Sequence, residues 1–340
     1  MQTKSLFAQG QHPIFVLGIL QRSGTNYLNN LLLLHPDVKS PGIVWEDFFL
    51  AHAELLSEYI EYVQRHWSPN WVEEIATEFG PNALLKHIGD ALVGFMEAQF
   101  NDHLDRGIYP APERAPIQLV TATPSVRNLH LFFDLFPKAV PIIIVRDGRA
   151  LVESGVRSFG WDYDEAMRMW VRGAGVIQDF CRNPKHENKF LLVRYEDLYT
   201  RTEEVMGKVF GLVGLDRSRY NFQAAENLGI MGSSELVEAK GALHWKSVDK
   251  SAGFNPLARA SEWSPNLRSR FEWLAGEQMR ALDYSMDKAP RRSTWNALID
   301  SIYGLEIKMN NRLPKASAIL KAWRYQLIQV PGRDRKKPQD

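Results

Sequence analysis

The chain has 340 residues, with 41 Lys+Arg against 40 Asp+Glu, 45% hydrophobic and 24% charged. That balance fits an ordinary folded protein and argues against a broad electrostatic grip on nucleic acid, while leaving room for a local anion site. A single cysteine, Cys181, excludes an intramolecular disulfide and a cysteine-based zinc site.

No apolar run approaches the roughly 18 residues of a membrane span, and the first residues hold no signal-peptide core. The expected setting is reduced and cytoplasmic. The first element is Ile14 to Leu20, apolar on both faces and bounded by Pro13, the pattern of a buried parallel strand. The turn Gln21-Arg22-Ser23-Gly24 leads into a leucine-rich helix from Thr25 to Leu34, ending before His35-Pro36. Residues 45 to 105 read as mostly helical. Their clearest helix is Asn82 to Leu104, with Leu84, Ile88, Leu92 and Phe95 as its apolar stripe. Proline-rich residues 106 to 116 read as a loop.

A second alternation follows. Ile117 to Val120 is a short strand, and Ser125 caps a helix to Phe136. Val140 to Val145 is a strongly apolar strand. Helices are expected at Gly148 to Arg157 and Asp164 to Cys181, a strand at Phe190 to Val193, and a helix at Thr202 to Val213. Residues 215 to 265 are irregular, and helices return at Asn266 to Leu282 and Trp295 to Met309, before a basic tail. Strands alternating with helices predict a parallel sheet covered on both faces.

Chemistry concentrates in Arg22-Ser23-Gly24-Thr25. A tight turn between strand and helix aims backbone N–H groups and the helix dipole at one point, which suits an anion. Gly24 allows close approach, Arg22 brings a forked cation, and Ser23 and Thr25 bring hydroxyls. An ordinary turn with a Ser/Thr cap is the competing reading. No lysine precedes Thr25, so this is not a Walker A loop. The strand ending at Val145 is followed by Arg146, a cation at the sheet edge where open α/β folds bind ligands. A structural ion pair with Asp147 or Glu153 is the alternative there.

These residues resemble the sulfotransferases that use 3′-phosphoadenosine 5′-phosphosulfate (PAPS), bacterial members in particular. Arg22-Ser23-Gly24-Thr25, continued by Asn26 and Tyr27 and then His35-Pro36-Asp37, is similar to their 5′-phosphosulfate loop. Arg146, with Ser154 eight residues later, resembles their 3′-phosphate motif, and Arg194-Tyr195-Glu196-Asp197-Leu198 the segment whose tyrosine lies by adenine. Gly232-Ser233-Ser234 and the later His244-Trp245-Lys246 resemble the variable C-terminal cofactor loop. The resemblance implies a P-loop-like three-layer fold with a central parallel sheet and a helical insertion. It implies sulfuryl transfer from PAPS to an acceptor hydroxyl, without a metal.

The resemblance also sets expectations for individual residues. Arg22 and the following turn would hold the phosphosulfate, Arg146 and Ser154 the 3′-phosphate, Tyr195 the adenine, and Ser234 would bind the cofactor from the C-terminal loop. Many members carry a histidine after the second strand, where this chain has Thr121-Ala122-Thr123-Pro124. Other members place a glutamate base after the His-Pro-Asp segment, a position that Trp45-Glu46-Asp47 occupies here, so the resemblance makes Glu46 the candidate base, with Asp47 its competitor. The expected organisation is a sulfotransferase domain over 1–290, its insertion at 45–116 on the acceptor side, a helical extension at 291–330 and a basic tail at 331–340. The expected acceptor is a small molecule or carbohydrate. A P-loop kinase or other NTPase, and a non-catalytic nucleotide-binding protein, are the rival readings.

Overall fold

The computed structural model describes residues 13–42, 46–113, 116–229, 258–286, 293–310 and 314–328. The described residues fall into two compact units. The first holds those within 1–146, 157–160 and 172–255, and the second those within 147–156, 161–171 and 256–340.

In the first unit, β1 (Ile14–Gly18) leads through a turn into α1 (Thr25–Leu33) and the two-residue β2 (Val38–Lys39). Helices α2 (Ala53–Gln64), α3 (Pro69–Phe79) and α4 (Ala83–Asp105) form the expected insertion. Then come β3 (Gln118–Thr123), the short α5 (Phe132–Leu135) and β4 (Val140–Val145). Helices α6 (Gly148–Phe159) and α7 (Tyr163–Arg182) precede β5 (Leu191–Arg194), followed by α8 (Tyr195–Thr200), α9 (Thr202–Val213) and α10 (Phe222–Glu226). The second unit also holds α11 (Pro265–Ala281), α12 (Thr294–Asn310) and α13 (Pro314–Leu327).

The five strands make one sheet in the order β2-β3-β1-β4-β5, every pairing parallel. Strand β1 is therefore central, with β3 and β4 on opposite sides. That is the topological switch point, where ligands of open α/β sheets bind beyond the carboxyl ends of the strands. Residues Ile14 to Leu17 are wholly buried, which explains their unbroken apolar run. Val16 and Ile144 face a core with Leu28 and Leu31 of α1 and Val209 and Phe210 of α9. On the other face Phe15 stacks on Phe136, ring centroids 4.6 Å apart, and meets Phe132 edge-on at 5.4 Å.

Three expectations need correction. The buried stripe of α4 is Leu85, Gly89, Val93, Met96 and Phe100, one residue out of phase with the apolar reading, and Phe95 is 48% exposed. A Cβ on Gly89 would lie 1.8 Å from the Leu135 carbonyl oxygen, so the helix docks through the one residue without an apolar side chain. The helix expected from Ser125 to Phe136 shrinks to a 3-10 turn at Leu129–Leu131 and the four residues of α5. Asn128, at φ 61°, blocks its start, its amide donating to the Leu50 and Ala51 carbonyls. Third, residues 46 to 49 are not helical, and Glu46 makes a parallel bridge to Ala122.

The second unit is tied by buried charges. Arg270 grips Asp164 with Nε to Oδ1 at 2.6 Å and Nη2 to Oδ2 at 3.1 Å, and neither side chain is exposed. Arg324 holds Asp162 in the same forked way, at 3.1 and 2.9 Å, and reaches Glu306 at 3.0 Å. The segment expected as an extension at 291–330 thus shares a unit with α11 and the first turns of α7. No helix among the described residues is long and apolar enough to cross a membrane.

Candidate active site

The turn after β1 is shaped by backbone constraints. Ile19 continues the strand pairing with N–H to Ile144 O at 3.0 Å, and Ser23 N–H closes onto Leu20 O at 3.3 Å. Arg22 sits at φ 74° and Gly24 at φ 103°, both in the left-handed region. For Arg22 this is stored strain; for Gly24 it is the reason the residue is glycine. A Cβ on Gly24 would lie 2.4 Å from Cδ2 of Tyr195, and one on Gly18 would lie 2.3 Å from Ser23 Oγ.

No side chain caps α1 at Gly24. The amides of Thr25, Asn26 and Tyr27 thus open α1 with the positive end of its dipole and no side-chain acceptor at the cap. Ser23 is wholly buried, and its Oγ has no hydrogen-bond partner among the described residues. A buried hydroxyl without a partner costs about 1–3 kcal/mol, and an anion seated in the turn would remove that cost. Thr25 is buried and Asn26 half-buried. Tyr27 is buried too, its phenol raised above the ordinary value by burial and eased by a hydrogen bond with Thr202. Of Tyr27, then, the backbone and not the ring borders the turn.

Arg146 follows β4 and is 5% exposed. Its Nη1 donates to the Arg22 carbonyl at 2.8 Å, and its guanidinium lies 4.6 Å from the centroid of Tyr195. Tyr195 is 2% exposed, with Gly24 against its edge, Tyr27 edge-on at 6.3 Å and Tyr199 stacked at 6.3 Å. The ring expected beside adenine is thus covered, and it forms a floor under both the turn and Arg146. Arg22 extends the other way, 5.8 Å from the ring centroid of Phe159. The parallel register Val145↔Arg194 explains this convergence, because it sets Arg146 and Tyr195 side by side at the same sheet edge.

Glu46 and Asp47 lie beyond β3 in very different states. Asp47 accepts from Thr121 Oγ1 at 2.5 Å and from Phe49 N–H at 2.8 Å, while Thr123 Oγ1 accepts from Phe48 N–H at 3.3 Å. Burial raises the Asp47 carboxyl, and these hydrogen bonds oppose the rise. Glu46 is exposed, and its carboxylate has no hydrogen bond or ion pair among the described residues. Its carboxyl is also raised, first by local desolvation and then by the neighbouring Asp47 charge. Its bridge partner Ala122 pairs in turn with Val16 of β1, so Glu46 stands two strand spacings from β1, roughly 10 Å. The two threonines of Thr121-Ala122-Thr123 hold the loop bearing both carboxylates.

Other expected residues fall elsewhere. Ser154 is wholly buried in α6, within the second unit. Ser234, the 232–256 loop and Trp45 lie outside the described residues. His35 is structural: its Nε2 donates to Asp216 O at 3.0 Å and its Nδ1 accepts from Asp37 N–H at 3.2 Å, while Asp37 pairs with Arg219. Sequence reading missed Tyr195 as the floor and the threonine clamp on Asp47. Both depend on strand register, which no local motif carries.

A family model described as "Sulfotransferase family" matches residues 13–219. The chain is 26% identical over 205 residues to the protein-tyrosine sulfotransferase of Drosophila melanogaster, covering 58% of this chain and 37% of the fly protein. It is 22% identical over 283 residues to protein-tyrosine sulfotransferase A of Caenorhabditis elegans, covering 75% of this chain and 68% of that one. Among solved structures, the sulfotransferase domain of the Synechococcus PCC 7002 olefin synthase aligns with a TM-score of 0.45 at 19% identity, over 84% of this chain and all of that domain. Matched across more than half its length, including the turn at Arg22 to Thr25, Arg146 and Tyr195, the chain belongs to the sulfotransferase family of enzymes.

Proposed function

We propose that the chain moves a sulfuryl group from PAPS to an acceptor hydroxyl. The observation that carries this reading is the buried, partnerless Ser23 hydroxyl in a turn whose helix start has no side-chain cap. Such a cradle fits a phosphate or sulfate group. PAPS supplies an activated sulfuryl group on a phosphate leaving group. Arg22 and the amides from Ser23 to Tyr27 hold its anionic end and stabilise charge on the departing oxygen. Arg146 and Ser154 are proposed for the 3′-phosphate and Ser234 for cofactor binding from the C-terminal loop, and Tyr195 keeps Arg146 and the turn in place.

Glu46 is proposed as the base that takes the acceptor proton. The free carboxylate of Glu46, set against the fully engaged Asp47, supports that division. The names of the relatives make a tyrosine hydroxyl of a polypeptide the first acceptor to test, ahead of the small molecule or carbohydrate expected from sequence. Residues 1–290 are proposed as the catalytic domain, with 45–116 on its acceptor side.

The test is a melting comparison with 3′-phosphoadenosine 5′-phosphate, AMP and magnesium-ATP. The first, at about 100 times its dissociation constant, is expected to stabilise by roughly 2.7 kcal/mol, and AMP far less. Equal stabilisation by AMP, or a larger effect of magnesium-ATP, overturns the reading in favour of an NTPase-like protein.

A further inference from the structure

Helices α2 and α3 are amphipathic, and beside a half-covered apolar face of Leu56, Ile60, Val63, Val72 and Ile75 each leaves large apolar side chains exposed. Ala53 is the buried residue of α2, and α3 has none. On α2, Leu55, Tyr59 and Tyr62 recur at helical spacing and are each about 60% exposed, at 59%, 63% and 61%. On α3, Trp71 and Phe79 lie on one face at 59% and 57% exposed. An uncovered aromatic surface of this kind marks an interaction site.

Charge says what kind of partner fits. Residues 53–79 carry six glutamates against one arginine and no lysine. Glu54 is engaged by Arg127 and Asn128, and Glu61 lies 3.8 Å from Arg65. Glu58, Glu73, Glu74 and Glu78 are exposed and have no cationic partner among the described residues. Glu58 lies three residues from Leu55, and Glu74 and Glu78 lie three and seven from Trp71, so these carboxylates flank the aromatic stripes. An anionic membrane would be repelled by that rim, whereas lysine and arginine side chains can pair with the carboxylates and lie on the aromatic faces.

We propose that α2 and α3 form a docking surface for a basic polypeptide that bears the acceptor hydroxyl. This rests on the sulfotransferase reading above. The stripe from Leu55 to Tyr62 is roughly 10 Å long, matching about three extended residues, so α2 already suits a segment rather than a single amine. The chain runs from Glu46 through one 3-10 turn, Leu50–His52, into α2, so a segment lying along α2 has its end near the proposed base.

The experiment measures fluorescence anisotropy of labelled lysine–tyrosine and glutamate–tyrosine copolymers with the full chain. The lysine copolymer is expected to bind and the glutamate copolymer not. Trp71→Ala, and separately the triple variant Glu73→Gln, Glu74→Gln, Glu78→Gln, are expected to weaken that binding about tenfold or more. All these residues are exposed, and the melting shift with 3′-phosphoadenosine 5′-phosphate should stay as in the parent chain. Equal binding of both copolymers, unchanged affinity in the triple variant, or tighter binding to phosphatidylserine vesicles overturns the proposal. So does loss of a self-associated form in Trp71→Ala with no copolymer binding. Copolymer binding that persists while the parent chain shows no nucleotide shift sinks the sulfotransferase reading and leaves the docking surface standing.

Discussion

Gly24 and Tyr195 come from opposite ends of the first unit and meet so closely that a Cβ on the glycine would overlap the ring, 2.4 Å from Cδ2 and 2.8 Å from Cε2. The contact sets two requirements at once: the turn must carry glycine, and the ring must be flat and buried beneath it. Gly24→Ala is therefore expected to do double damage. The φ of 103° costs an alanine about 1–3 kcal/mol, and the ring blocks the added methyl. The melting temperature should fall, and stabilisation by 3′-phosphoadenosine 5′-phosphate should vanish. Adding Tyr195→Ala should recover none of the nucleotide response, because it removes the clash and the floor together. A Gly24→Ala chain with normal nucleotide stabilisation would show that the turn does not hold the anion.

Arg146 is expected to be irreplaceable by lysine. Its fork donates to the Arg22 carbonyl while its plane rests on Tyr195, and a compact ammonium cannot do both. Calorimetric titration with 3′-phosphoadenosine 5′-phosphate should show Arg146→Ala weaker by about 2–5 kcal/mol, with Arg146→Lys recovering only part. Titration with AMP should be much less affected. Equal losses for both nucleotides would take Arg146 off the 3′-phosphate.

The carboxylate pair gives a pH test. A base works deprotonated, and Glu46 is raised from the ordinary 4.5 by desolvation and by Asp47. The acid limb of turnover should therefore lie above that value. Asp47→Asn removes the neighbouring charge, so the limb should move to lower pH while turnover on the plateau persists. Glu46→Gln should lower turnover by roughly 10²–10⁴-fold at every pH with nucleotide affinity intact. The measurement is radiolabelled sulfate transfer from PAPS across pH. An unmoved limb in Asp47→Asn, or near-parent turnover in Glu46→Gln, would take Glu46 out of the mechanism.

What could be read from sequence follows the range of the forces involved. The turn at Arg22 to Thr25, and strands β1 and β4, are set by local features: an apolar run, a glycine, a helix start. The covered ring of Tyr195 and the Glu46–Ala122 bridge depend on which strands lie side by side, and β2, with two residues, carries no pattern. In α4 the apolar period misled because Gly89, chosen for close packing on Leu135, adds nothing to a hydrophobic stripe. In α7, Asp162, Asp164 and Glu165 read as an ordinary acidic helix start, since nothing near them announces Arg270 or Arg324.

That buried network supports a last prediction, independent of the active site. Arg270 and Asp164 have fully buried side chains, and Arg270 also donates to Asn296 O at 3.1 Å and Asp300 Oδ1 at 2.6 Å. Removing Arg270 takes the forked partner from Asp164 in a dry environment and leaves it Arg168 at 3.2 Å and Arg324 at 3.7 Å. Breaking such a pair costs up to about 3–5 kcal/mol, whereas replacing both partners with apolar groups costs far less. Arg270→Met should therefore destabilise strongly, and Arg270→Met with Asp164→Leu should recover part of the loss. The recovery is partial because Arg168, 3.2 Å from Asp164, would keep Asp300 but lose one of its carboxylates, and Arg324, 3.7 Å from Asp164, would lose one of its own. Acid should act in the same direction. Burial pushes Asp162 and Asp300 up, but their arginine partners outweigh it and hold both below the ordinary 3.8. A carboxylate lowered on folding stabilises above its unfolded pKa, and that contribution is lost as pH falls through the folded value. The check is chemical denaturation of the parent and both variants at pH 7 and through the acid range. The Arg270→Met chain should show a weaker acid dependence than the parent, because Asp300 has lost the Arg270 hydrogen bond and charge that hold its carboxyl down. A double variant no more stable than Arg270→Met would mean that the arginine contributes through packing rather than by balancing the buried carboxylate.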